Sequence, residues 1–195
     1  MDRRTYLAAA CAAGVTATAG CSAVSESETL SDPTVNEDAP GRKAIAFTSD
    51  GEEVGHFGVD GSVVADRVDL STEIWHRDGT TVDSVELRLW MPETATESPA
   101  KVAVVSPVEG DSSPPPSLSL YTPDRKVGTV VEITDLDDLA DETISTLDLV
   151  VVPGTDTATD LKIHATIDLS GGGLLDGGYT LDGEFRLSYP ELADR

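Results

Sequence analysis

Cysteine is scarce in this chain of 195 residues; there are two, Cys11 and Cys21. That excludes a disulfide-stapled scaffold, so any folded domain must be held by its core. Basic charge is scarce as well. Thirteen Lys and Arg face 36 Asp and Glu, for a formal net charge of −23. With no basic stripe to neutralise phosphates, nucleic acid is excluded as a partner. Anionic lipid headgroups would repel such a body, so any membrane link must come from something other than a surface patch. Histidine occurs three times, at 56, 76 and 164, without H-x-H or H-x-x-x-H spacing or a neighbouring cysteine. No zinc site and no cofactor is expected from that. A bilayer-spanning helix needs about 20 apolar residues, and no run of that length is present.

What is present begins at the N-terminus. Arg3-Arg4-Thr5-Tyr6-Leu7 is followed by a weakly apolar, Ala-rich stretch that ends in Thr18-Ala19-Gly20-Cys21. The paired arginines with Tyr6 and Leu7 resemble a twin-arginine export signal, although Asp2 replaces the more frequent Ser or Thr. Ala19-Gly20-Cys21 resembles the lipobox of exported lipoproteins, with Thr18 where Leu is preferred. The resemblance implies cleavage before Cys21 and lipidation of its thiol, and two acyl chains there would hold stably. Removing residues 1–20 leaves 35 acids against 11 bases. Such a charge density opposes compaction at low ionic strength and is screened at molar salt, where the Debye length is about 3 Å. Together these features resemble extracytoplasmic lipoproteins of halophilic archaea. They imply a chain anchored to the outer face of the cell membrane.

Residues 22–41 are rich in Ser, Glu, Asp, Thr and Pro without apolar periodicity, and read as a disordered acidic tether. The expected organisation is a signal peptide over 1–20, a lipidated tether over 21–42 and one domain over 43–195. Within that domain the punctuation is Asp-Gly, at 50–51, 60–61, 78–79, 176–177 and 182–183. Asp-Gly between β-prone runs signals hairpins. The pair 182–183 is the exception, read as a bulge or bend inside a strand. Val85, Leu87, Leu89 and Met91 alternate with polar neighbours. So do Leu161, Ile163, Ala165, Ile167 and Leu169, and so do Tyr179, Leu181, Phe185, Leu187 and Tyr189. Leu136, Leu139, Ala140, Thr143, Ile144 and Leu147 instead follow helical spacing, with Thr134 as N-cap, and the β-prone 144–152 stretch ends that helix early. About ten short strands and one short helix predict an all-β fold, an antiparallel sandwich resembling the immunoglobulin architecture.

Chemistry-bearing motifs are few. Asp135, Asp137, Asp138, Asp141 and Glu142 cluster without EF-hand spacing. Gly110-Asp111-Ser112 resembles the Gly-Asp-Ser of some serine hydrolases, yet it sits before Pro114-Pro115-Pro116 and lacks the G-x-S-x-G form. No catalytic and no metal-ligating residue is assigned. Trp75 and Trp90 share faces with Glu73, Arg77, Glu86 and Arg88, and read as neighbours on adjacent strands forming a patch for a protein partner or sugar. The expected function is a non-enzymatic binding or assembly role for a lipid-anchored surface protein. The alternatives are a solute- or calcium-binding lipoprotein serving a transporter, and an exported hydrolase.

Overall fold

A computed structural model describes residues 27–91, 99–106, 117–136, 144–171 and 177–193. The chain forms β1 (Glu28–Leu30), β2 (Thr34–Ala39), β3 (Arg42–Ser49), β4 (Glu52–Val64), β5 (Arg67–His76) and β6 (Thr80–Trp90). There follow β7 (Lys101–Ser106), β8 (Ser117–Tyr121), β9 (Thr129–Thr134), β10 (Ile144–Val152), β11 (Asp160–Gly171) and β12 (Tyr179–Ser188). A 3-10 turn over Pro190–Ala193 closes the described chain, and no α-helix occurs among the described residues.

The strands make two six-stranded sheets. One, sheet A, has the order β1-β12-β11-β6-β9-β8; the other, sheet B, has the order β2-β3-β4-β5-β10-β7. All pairings are antiparallel except β1 with β12. The all-β sandwich expected from the alternation is therefore observed. Its core is what that alternation dictates. Leu161, Ile163, Ala165, Ile167 and Leu169 are all buried on the inner face of β11, as are Val85, Leu87 and Leu89 on β6. Ile45, Phe47, Phe57, Val59 and Leu70 face them from sheet B. Each fully buried side chain of this size contributes roughly 1.5–3 kcal/mol.

Several expectations need correction. The tether predicted over 21–42 is too long, because β1 and β2 are strands of the sandwich and β3 begins at Arg42. All six residues of β2 are exposed, so no apolar period could reveal it. Backbone pairing onto the free edge of β3 holds it instead. Asp60-Gly61 is not a turn: both residues lie inside β4, and the chain reverses at Ala65-Asp66, where Ala65 has φ 55°. Asp182-Gly183 is likewise inside a strand, but its ladder with β11 is regular, without a bulge. Gly183 faces Ile45 and Phe47 of the opposite sheet closely enough to leave no room for a Cβ.

Asp50-Gly51 does form a hairpin turn, with φ 53° and 84°. Asp78-Gly79 is a turn of another kind, carrying the chain from sheet B to sheet A. This corner is tied down by polar contacts. The Thr80 hydroxyl donates to the Arg77 carbonyl at 2.8 Å and accepts from His76 Nδ1 at 3.0 Å. Arg77 Nη2 reaches the Tyr179 hydroxyl at 2.7 Å. The predicted helix falls mostly on 137–143, outside the described residues; Thr134 itself ends β9, and Ile144 already begins β10. Among the described residues no helix is long and apolar enough to cross a membrane.

Candidate functional site

The two tryptophans do not meet. Trp75 lies on β5 and Trp90 on β6, and because the chain changes sheets between them, they face solvent on opposite sides of the sandwich. The expected joint patch is therefore two separate surfaces.

Trp75 belongs to the outer face of sheet B. His56 stands directly opposite it on β4, and the two rings stack at 5.3 Å with an 18° tilt. The imidazole is held at both nitrogens, by Glu53 at 2.7 Å and by Glu73 at 3.5 Å. Beside this pair the face is hollow. Asn36, Ala44, Gly58 and Glu73 lie abreast on β2, β3, β4 and β5, and Arg42, Asp60, Ser71 and Asp148 form the next row. Small side chains in the middle of these rows leave an open trough of about 910 Å³. Its rim carries Asp38, Glu53, Asp60, Asp69, Glu73 and Asp148 against Arg42, Lys43 and Arg67. Lys43 is paired with Glu37, and Arg67 with Asp69, which pushes the guanidinium pKa up through a hydrogen bond and charge attraction.

Gly58 keeps the trough open, and the fold does not demand a glycine there. A Cβ at Gly58 would lie 3.8 Å from Ala44 Cβ and Glu73 Cβ, an ordinary contact. A glycine inside a strand weakens it, through lost chain stiffness and missing packing.

Trp90 belongs to the outer face of sheet A. The Arg88 guanidinium sits 4.0 Å from the centre of its ring, and the Lys162 ammonium 5.6 Å from it. Lys162 also bonds Glu184 at 3.2 Å. Arg186 pairs with Asp160, and its hydrogen bond holds the Asp160 carboxyl below the usual carboxylate range. His164, two residues along β11, lies 3.4 Å from Asp182. The third histidine, His76, is buried at the corner between sheets.

The histidines are thus dispersed over two outer faces and one interior corner. Among the described residues no three His, Cys, Asp or Glu side chains gather in a way that would hold a metal ion. Of the acidic cluster only Asp135 is described; it has φ 60° and accepts a 2.7 Å bond from Ser117. Arg3, Arg4, Tyr6, Leu7, Cys21 and Ser112 lie outside the described residues. Sequence reasoning missed the trough. Its signal was Ala44, Ala46, Gly58 and Ser71 on the polar faces of β-prone runs, too weak to stand out before the strands were ordered.

A family model described as a domain of unknown function, DUF8121, matches residues 27–191. The chain belongs to the DUF8121 family. The match begins one residue before β1, so the DUF8121 domain includes both strands that read as tether. No curated protein matches the chain. Among solved structures, a cohesin module from the Clostridium perfringens ATCC13124 family 33 glycoside hydrolase is similar at 14% identity and a TM-score of 0.44. It covers 70% of this chain and 96% of its own. A collagen-binding domain from a Staphylococcus aureus adhesin is similar at 9% identity and a TM-score of 0.37, over 67% of this chain and 95% of its own. Both likenesses are too distant to bear on what this DUF8121 domain does.

Proposed function

We propose that the chain is an exported lipoprotein, anchored through Cys21 to the outer face of the cell membrane, whose sandwich works by binding rather than by catalysis. Its contact surface is the outer face of β3, β4, β5 and β10. The observation that carries this reading is Gly58, a strand-interior glycine with room for a side chain, which gives up stability and leaves the trough open. Sites that cost stability without a structural need are characteristic of surfaces kept for function.

Gly58→Val is expected to raise stability by about 0.5–1 kcal/mol, because valine suits a pleated strand and stiffens the unfolded chain. The same change raises a branched side chain from the floor of the trough, between Ala44 and Glu73. Affinity capture of the lipidated protein from native membranes should then lose the companions that the unmodified protein brings down. Equal recovery of those companions would place the contact surface elsewhere. For the anchor, Cys21→Ser should move the domain from the membrane fraction into the soluble exported fraction. Undiminished membrane retention of that variant would remove the lipid from the account.

A further inference from the structure

Sheet A ends in an unprotected strand, β8, and we propose that its partner is β8 of a second copy of this chain. Of the four edge strands, β1 carries Glu28, β2 carries Glu37 and Asp38, and β7 carries Lys101. β8, Ser117-Leu118-Ser119-Leu120-Tyr121, has no charge and no proline, and all five residues are exposed. Charge, proline, bulges and cover are the devices that keep an edge from pairing. Among the described residues β8 shows none of them, and it pairs with β9 alone, in a regular register. Its leucines continue the inner face of the sheet. Leu118 stands opposite Ile133 and Leu120 opposite Val131, both buried, yet the leucines are 38% and 45% exposed. The apolar layer of the sandwich therefore reaches this rim uncovered. The rim shares no residue with the trough.

Charge decides what can lie there. A chain with 36 acids against 13 bases can meet its own copy only where carboxylates are absent or matched. Antiparallel pairing of β8 with itself about Ser119 meets that condition. Ser119 then faces its counterpart, Leu118 faces Leu120, and Ser117 faces Tyr121, so the leucines of both copies bury one another. Among the described residues the charges flanking the strand lie beyond its ends. Asp135, bonded to Ser117, is at one; Asp124, Arg125 and Lys126 follow Tyr121 at the other. The two-fold axis brings each end to the opposite end of the other copy, one carboxylate against a net single positive charge. Glu132, opposite Ser119 on β9, lies three strand spacings from its counterpart, about 14 Å. The Debye length at molar salt is about 3 Å, so that pair is screened. No other segment of this chain fits as well: 22–26, 92–98, 107–116, 137–143 and 172–176 each contain an acid. The contact is isologous, so it closes at two copies and joins two six-stranded sheets edge to edge. A five-residue seam is short and makes a dissociable dimer. On the anchored chain proposed above, confinement to the membrane raises the effective concentration.

The test uses the full mature chain carrying Cys21→Ser, in molar salt, by sedimentation velocity at rising concentration. It should form a dimer and nothing larger. Leu120→Lys places a charge in the seam at an exposed position and should weaken the dimer about tenfold or more, with the melting temperature little changed. Single cysteines read the register, with oxidised glutathione as the oxidant. Ser119→Cys faces its own copy at about 5 Å between Cβ atoms and should give a disulfide-linked dimer. Ser117→Cys faces Tyr121, about 13 Å along the strand from its copy, and should not. These two variants decide the matter even where Leu120→Lys fails to fold. A chain that stays monomeric to about 1 mM would overturn the proposal. Equal crosslinking at 117 and 119 would overturn it as well. So would a monomer whose membrane companions are lost on Leu120→Lys, since the edge would then belong to a different chain. Gly58→Val should leave the dimer intact, so failure here and failure of the trough reading are told apart.

Discussion

Gly61→Ala is expected to destabilise the domain by about 3 kcal/mol, at the top of the usual range for overpacking. A Cβ at this position would run into the Tyr189 hydroxyl, with Leu70 Cδ2 at 2.8 Å and the tyrosine Cζ at 3.0 Å. All three belong to the packed interior, where nothing is free to move aside. Tyr189 is 3% exposed, and its hydroxyl finds no hydrogen-bond partner among the described residues. Burial pushes the phenol's pKa well up, with Asp60 and Glu191 adding to the effect, so it stays neutral. Tyr189→Phe removes an oxygen that is buried without compensation, and should raise stability by about 1 kcal/mol. In the Gly61→Ala background the same change should recover more than that, because it also relieves the collision. Urea melts of the four proteins give the coupling directly. Additive effects would mean that the hydroxyl does not occupy the space above Gly61.

Phe57→Ala should be at least as damaging, at about 3–5 kcal/mol. Phe57 is fully buried on the inner face of β4, and its ring lies 5.8 Å from that of Phe185 on β12, tilted by 47°. It is one of few aromatic residues bridging the two sheets, and a neighbouring β-strand cannot collapse into the space it leaves. Marginal domains hold about 5–15 kcal/mol in all, so this one truncation removes a large share. The denaturation midpoint should fall while the slope with denaturant stays unchanged. A loss below about 1 kcal/mol would mean that this part of the core is loosely filled.

The strands with one buried face were legible before any coordinates. Period-two alternation in 161–169 and 85–91 names their inner faces residue by residue, since burial on one side of a pleat leaves that imprint. What escaped had no imprint. β2 is exposed along its whole length and depends on backbone pairing alone. Asp-Gly pairs were ambiguous for a physical reason: glycine serves both where φ is positive and where another chain comes too close for a Cβ. Gly51 and Gly79 are of the first kind, Gly61 and Gly183 of the second. Trp75 and Trp90 were placed on the correct outward faces but assigned to one sheet, because consecutive strands usually pair. The corner at 77–80, locked by His76 and Thr80, breaks that habit and sends them to opposite sides.

The first strand runs alongside the last one in the same direction, Glu28 beside Tyr179 and Leu30 beside Leu181. Tension between a fixed leading end and the far pole, where β12 finishes, would therefore act along both strands at once. The hydrogen bonds joining them would be loaded in shear, together, rather than unzipped one after another. Anchored as proposed above and pulled by flow or by a moving neighbour, the protein would resist at its first strand.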